Sequence, residues 1–444
     1  MKQTPRNTKK SSVGRRRFLK GAAAGAAMLA GSSVPASITE ASGSTKDTET
    51  RPESASVAPN TSEASSTIEH PGSDYMVDVF RALDIEYCAS NCGSSFDGLQ
   101  ESMVNYGANR MPEFLTCLHE ESAVAMAHGY AKIAGKPMMA LFHGTVGLQH
   151  AAMAIYNAYV DRVPVYMAAG LDYDGPVSAH NATDLAALVR DYIKWDHQPG
   201  ALMDFGRSAV RAYTLATTPP MAPVLLVLDA KLQKDAADNP PTVPKISVPK
   251  FPSADIGSVR EIAGLLLAAE NPRINTGQVA RTQEGLDLLV ELAELLQVPV
   301  NGVSNRLNFP SRHPLQGTGT GTPDLILNLE PGSRVGTSPS SPRSTGRQAQ
   351  ATDAPNVTTI TISSAEFLVT SNFNVFGNGA GNADLVVAAD AQSTLPALIE
   401  EVRRLMTSDR QAFWQDRGTK ITSAHLRARR RTITDARYGW DNSP

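Results

Sequence analysis

The chain has 444 residues, with 41 Lys and Arg against 44 Asp and Glu, a formal net charge of −3. At roughly 100–200 residues per domain this length holds two or three domains, and the near balance of charge excludes a basic nucleic-acid binder and an acidic solvating chain. A hydrophobic content of 41% can fill real cores, whereas three cysteines cannot build a disulfide framework. Only 6% of residues are aromatic, while Gly (33) and Pro (29) are plentiful, which favours a loop-rich α/β protein built from Ala, Val and Leu. No run of 18 apolar residues follows the N-terminus, so no membrane span is expected in the mature chain.

Residues 1–36 have the layout of an export signal. Lys2, Arg6, Lys9 and Lys10 precede the string Arg15-Arg16-Arg17-Phe18-Leu19-Lys20, and residues 21–31 are a short, weakly apolar Ala/Gly stretch. Val34-Pro35-Ala36 then offers small residues to a signal peptidase. The arginine string is of twin-arginine type, with Gly14 where Ser or Thr is usual. It predicts folding in the cytoplasm, then export to the periplasm or the exterior. A merely basic tail would not need the Phe-Leu-Lys and the apolar run. Residues 37–72 are Ser, Thr, Glu, Ala and Pro with almost no large apolar side chain. Such a segment cannot offset its ordering entropy and reads as a linker.

Periodic patterning begins at Asp74. Helices are predicted over residues 75–83, 99–106, 120–134 and 148–160, with strands over 85–89, 113–117, 138–142 and 163–169. Residues 91–95 and 144–147 read as loops, and 224–228 as the strand closing this block. Strands alternating with helices through short connections predict a parallel sheet covered on both faces. Residues 235–254 carry Pro240, Pro241, Pro244, Pro249 and Pro252 and read as an extended connector. A second α/β block spans 255–406, with helices over 258–269 and 282–296 and strands over 298–301, 325–329, 358–362 and 385–388. Residues 331–355 are rich in Ser, Gly, Arg and Gln and read as an insertion. The tail, 407–444, reads as a charged helix with Arg427, Arg429, Arg430 and Arg431 on a solvated face. The domain plan is therefore signal, linker, a first domain over 73–234, connector, second domain and helical tail. The expected fold class is α/β with two doubly wound parallel-sheet domains.

The most informative stretch is His119-Glu120-Glu121-Ser122-Ala123-Val124-Ala125-Met126-Ala127-His128-Gly129-Tyr130-Ala131-Lys132, which opens a helix directly after an apolar strand. On residue chemistry alone, two carboxylates in a first turn are an ordinary complement to the helix dipole. The small residues Ala123, Ala127, Gly129 and Ala131 permit close packing against a second helix or subunit.

The string nevertheless resembles the pyrimidine-binding domain of thiamine-diphosphate enzymes, in particular the acetolactate synthase-like decarboxylases and carboligases. The resemblance continues through Ile133-Ala134-Gly135-Lys136-Pro137 and through Ala158-Tyr159-Val160-Asp161-Arg162-Val163-Pro164-Val165. Ser90-Asn91-Cys92-Gly93 stands where the family has Gly-x-Pro-Gly, and residues 219–229 resemble the strand that closes the domain. More weakly, residues 271–284 with Val298-Pro299-Val300 resemble the family's central domain. Arg437-Tyr438-Gly439-Trp440 resembles its connector to a third domain. Several ordered motifs carry more weight than any single one.

The resemblance implies thiamine diphosphate as cofactor and a 2-keto acid as substrate. The family's glutamate hydrogen-bonds N1′ of the aminopyrimidine and so activates the thiazolium, which takes up electrons as CO2 leaves. Such an acid needs burial to share a proton with N1′. The motif assigns this role to Glu120, with Glu121 pointing elsewhere. Asn91, Cys92 and Gly93 would contact the pyrimidine, with Cys92 in place of the usual Pro. His143-Gly144-Thr145-Val146-Gly147-Leu148-Gln149-His150 stands where the family has a Gly-Pro-Gly loop before a helix, so Val146 and Gly147 would approach the cofactor. Thr145, Val146 and His150 depart from the usual Gly, Pro and Asn. His143, Gln149 and His150 are substrate candidates, although an ordinary satisfied histidine is an equal alternative. Cys88 and Cys117 lie in apolar strands and read as buried thiols, and no protein metal site is expected. Some relatives place FAD across the central domain. Here Gly277 alone does not establish such a site, and a structural domain is expected.

The family holds the diphosphate through Mg2+ with a Gly-Asp-Gly motif, and that motif does not occur among these residues. The expectation is a homo- or hetero-oligomer in which a partner chain supplies the diphosphate and Mg2+ domain, the chain being inactive alone. The alternatives are a truncated product without catalysis and a non-catalytic binding or regulatory subunit.

Overall fold

The computed structural model describes residues 68–172, 182–302, 308–317, 319, 321–331, 357–365 and 383–441. The expected signal, almost all of the linker, and the insertion from residue 332 onward lie outside the described residues.

The first sheet has six parallel strands in the order β2-β1-β3-β4-β6-β5. These are β1 (Tyr87–Ser90), β2 (Glu113–Thr116), β3 (Met139–His143), β4 (Tyr166–Leu171), β5 (Trp195–His197) and β6 (Val224–Asp229). Alternation along β3 explains the layering, because successive side chains point to opposite faces. Ala140 and Phe142 join a core with Ala123, Ala127, Ala151 and Ala158, from α3 (Glu120–Ala134) and α4 (Gly144–Val160). Met139 and Leu141 join the opposite core, with Phe80 from α1 (Gly72–Ala82) and Phe205 from α5 (Leu202–Thr217). Between β1 and β2 lies a short helix, α2 (Asp97–Glu101), continued by one wider turn over Ser102–Tyr106. A short α6 (Ala230–Lys234) follows β6.

The alanines of α3 and α4 let the two helices pack side by side over the sheet. α3 ends at Gly135, whose φ of 73° is the left-handed conformation that glycine adopts without steric cost. His128 and Lys132 of α3 both reach Asp161 Oδ2, at 2.9 and 2.5 Å. The Tyr130 hydroxyl donates to Glu86. Much of the motif on α3 therefore braces that helix against the end of α4 and the start of β1.

The second sheet, in the order β11-β10-β9-β7-β8, is also parallel throughout. Its strands are β7 (Pro272–Thr276), β8 (Val300–Gly302), β9 (Leu325–Leu329), β10 (Thr358–Ile362) and β11 (Leu385–Val387). α7 (Ile256–Ala268), α8 (Gln283–Leu296) and α9 (Ala391–Leu405) cover it, and their apolar faces form one core with Trp414 of α10 (Ser408–Asp441). Asp255, Thr282 and Asp390 each cap a helix by accepting a backbone N–H. The expected class, two doubly wound parallel-sheet domains, is the observed one.

One expectation is corrected here. Residues 144–147 are the first turn of α4, not a loop; Gly144 alone takes a positive φ, 36°, and the helix runs on from it. β5 and α5 were not predicted. α5 buries mainly Ala209, Ala212 and Ala216 behind Phe205, a weak apolar signal.

The two domains meet through a buried ion pair. Arg162 Nη1 donates to Glu330 Oε2 at 2.6 Å, with the side chains 5% and 1% exposed. Glu330 Oε1 also accepts the backbone N–H groups of Ser364 and Ala391, and Oε2 accepts the hydroxyls of Ser363 and Ser364. Gln278 of the second domain donates to the Val160 carbonyl of the first.

Candidate active site

In an open parallel sheet, ligands bind beyond the carboxyl ends of the strands where the chain order reverses. In the first sheet β1 leads to β2 on one side and β3 lies on the other, so the reversal falls between β1 and β3. Asn91, Cys92 and Gly93 leave the end of β1. His143 ends β3, and Glu120 opens α3 just beyond β2. The fold thus gathers at one crevice three segments that the sequence singled out separately.

Glu120 is buried, 5% exposed, whereas Glu121 lies in solvent. Of the two neighbouring carboxylates, one turns inward and the other outward. Asn91 Nδ2 donates to Glu120 Oε1 at 3.3 Å, and His150 Nδ1 lies 3.0 Å from Oε2. Gly147 sits against the carboxylate: a β-carbon there would stand 2.9 Å from Oε1. Gly93 is pressed in the same way against the His143 ring, where a side chain would meet the Cβ, Cγ and Nδ1 atoms inside contact distance. Ser95 Oγ is 2.8 Å from His143 Nδ1 and holds that ring from below the crevice. His119 meets His150 edge-on, with centroids 5.1 Å apart.

Asn91, Glu120, Gly147 and His150 therefore form one contact group, and Gly93 and His143 form a second beside it. Cys92, Val146 and Gln149 are exposed at the rim. Cys88 and Cys117 are buried, and burial pushes the thiol pKa of each up. Sequence reading did not single out Ser95 or His119. The signal for Ser95 was its place just after a glycine that ends a strand loop.

The site fits an aminopyrimidine by its own chemistry. It offers a buried carboxylate held by two side chains and packed against a helix turn that carries no β-carbon at Gly147. At the corresponding place the second sheet is closely filled. Its order reverses between β7 and β9, and there Glu330, Arg162, Gln278 and Arg281 line a cavity of only about 10 Å³. Arg281 is itself paired with Asp390 at 2.7 Å. Both guanidinium groups are thus engaged by carboxylates, so these residues do not fit the pyrophosphate of FAD.

Residues 70–183 match the family model described as the thiamine pyrophosphate enzyme, N-terminal TPP binding domain. Over these residues the chain is similar to the thiamine-diphosphate-dependent enzymes. Among curated proteins, the benzoylformate decarboxylase of Pseudomonas aeruginosa is 27% identical over 233 residues, covering 49% of this chain and 44% of that protein. An acetolactate synthase large subunit of Lactococcus lactis is 25% identical over 258 residues, covering 55% and 43%. The chain thus spans less than half the length of these relatives. Of solved structures, the benzoylformate decarboxylase of Polynucleobacter necessarius superposes with a TM-score of 0.60 at 21% identity, over 76% of this chain and 61% of that one. A thiamine diphosphate-dependent 4-hydroxybenzoylformate decarboxylase of Rhodococcus jostii gives the same TM-score and identity, over 75% and 62%. These superpositions establish the shared fold.

Proposed function

We propose that the chain supplies the pyrimidine-binding half of a thiamine diphosphate site in a 2-keto acid decarboxylase or carboligase, with Glu120 as the cofactor-activating acid. The observation that carries this reading is a buried Glu120 at the reversal of the first sheet, held by Asn91 and His150 and packed against Gly147. When bound, the cofactor supplies the electron sink for decarboxylation. Glu120 exchanges a proton with the aminopyrimidine N1′, and Asn91 holds its Oε1. Gly93 and Gly147 let the β1 loop close on His143 and α4 close on Glu120. His143, fixed by Ser95, faces the substrate together with Gln149 and His150, while Cys92 and Val146 stand beside the cofactor.

The diphosphate and its Mg2+ are held by a domain outside these 444 residues. The lack of a Gly-Asp-Gly motif in the sequence supports this. A subunit contact over α3 and α4 is supported by exposed Leu118, Met126, Ile133, Val146 and Met153. The second domain serves a structural role. Residues 1–36 direct export by the twin-arginine route.

The test is titration of the mature chain with thiamine diphosphate and Mg2+, alone and with the diphosphate-binding domain added. Tight metal-dependent binding is expected only in the second case, together with exchange of the thiazolium C2 proton. Tight binding by the chain alone would overturn the half-site. Binding in the assembly without exchange would make the chain a non-catalytic binding or regulatory subunit.

A further inference from the structure

Glu120 is shut off from water, but the histidine that touches it is not. The Glu120 side chain is 7% exposed and the His150 side chain 45%. A buried acid that gains and loses a proton can exchange it with solvent through a titratable group that touches it and reaches water. Asn91, on Oε1, is an amide and does not titrate in water. His150, on Oε2 at 3.0 Å, is an imidazole with one nitrogen on the carboxylate and the other remote from it. Its ring is held by His119, packed edge-on at 5.1 Å. His150 lies one helical turn beyond Gly147, so the glycine that brings the carboxylate against α4 also brings it within reach of the imidazole.

We propose that His150 is the positioning residue of Glu120 and the relay that carries its proton to solvent. This rests on Glu120 being the cofactor-activating acid. Through Nδ1 the imidazole fixes the plane of the carboxylate. In the relay, protonated Glu120 gives its proton to His150 Nδ1 while the proton on Nε2 leaves to water. The carboxylate ends ionised and the imidazole neutral, in its other tautomer. The reverse sequence reloads the acid, and no oxidant or co-reactant is consumed. An amide in this place can hold the carboxylate but cannot pass a proton, and this separates positioning from relay.

Two measurements test the proposal. Long-range 15N NMR of the histidine-labelled chain alone needs no cofactor. The His150 Nδ1 resonance should be that of a nitrogen hydrogen-bonded to a carboxylate, and should shift in Glu120→Gln. No shift would overturn the bond. In the assembly with the diphosphate-binding domain, His150→Asn should keep cofactor affinity within about twofold but slow C2-proton exchange at least about tenfold, and added imidazole should restore it. His150→Ala should lose affinity as well. Exchange at the wild-type rate in His150→Asn, or slow exchange that imidazole does not rescue, would overturn the relay. A wild-type assembly that binds no cofactor, with the NMR bond intact, would overturn the functional reading and the relay together, leaving His150 a structural partner of Glu120.

Discussion

Each sheet buries one carboxylate at the point where its strand order reverses, and the two are held in opposite ways. Glu330 accepts five donors, among them a fully charged arginine that is itself buried. Glu120 is held by one amide and one half-exposed imidazole, and it packs against Gly147. The first arrangement saturates a charge and locks two domains together. The second leaves a charge able to change partners. Burial alone therefore does not mark a functional acid; what surrounds the buried group does.

The strongest way to break the contrast is Glu120→Gln. In the assembled complex C2-proton exchange should fall by roughly 10²–10⁴-fold, the usual contribution of a positioned acid or base, while the unfolding midpoint of the chain stays close to wild type. If stability collapses with activity intact, Glu120 is the structural carboxylate of the two.

Arg162→Met should have the reverse profile. It strands Glu330 in the interior without its countercharge, a change that costs about 3–5 kcal/mol in denaturant unfolding. The double variant Arg162→Met/Glu330→Gln should recover most of that loss, because the remaining donors around residue 330 can serve a neutral amide. A single-variant loss below about 1 kcal/mol would mean that water already reaches the pair.

A partly buried lysine sharpens the comparison. Lys194 donates to the carbonyls of Leu215 and Thr218 at the end of α5, and burial lowers its pKa from 10.5 to about 8. The unfolded chain binds more protons than the folded chain between those two values, so stability rises with pH across that window. Below pH 8 the desolvation penalty is fully present. The rise is on the order of 2 kcal/mol, and Lys194→Met should lack it in urea melts at pH 8 and pH 10. Equal slopes in the two proteins would show that Lys194 stays charged in the fold. The smallest effect is expected from Gly147→Ala. Its methyl group would crowd Glu120 Oε1 and weaken thiamine diphosphate binding in the assembly by about tenfold, with helix stability unchanged or slightly raised.

Much of this was legible in the sequence, for local reasons. The predicted helix over 120–134 is the observed one, because an acidic first turn, small core residues and a left-handed glycine mark both ends. β9 and β10 were also read to the residue, as short apolar or β-branched runs. The choice of Glu120 over Glu121 came from motif spacing, since composition cannot say which of two neighbouring glutamates turns inward. The first turn of α4 was misread because its two glycines imitate a loop. The Arg162–Glu330 pair had no signal, as its members lie 168 residues apart. The contact of His150 with Glu120, 30 residues apart, likewise exists only once α3 and α4 lie side by side.

The crevice is, in one sense, shaped by two atoms that are missing. Gly93 lies against His143 and Gly147 against Glu120, so the spacing between the β1 loop, the end of β3 and the start of α4 is set by the absence of two β-carbons. Each position behaves as a gauge block, and a single methyl group at either would act as a wedge. An effort to retarget the site should therefore hold residues 93 and 147 constant. It should spread its diversity over the exposed positions Val146 and Gln149, where a new side chain can change what enters without moving what reacts.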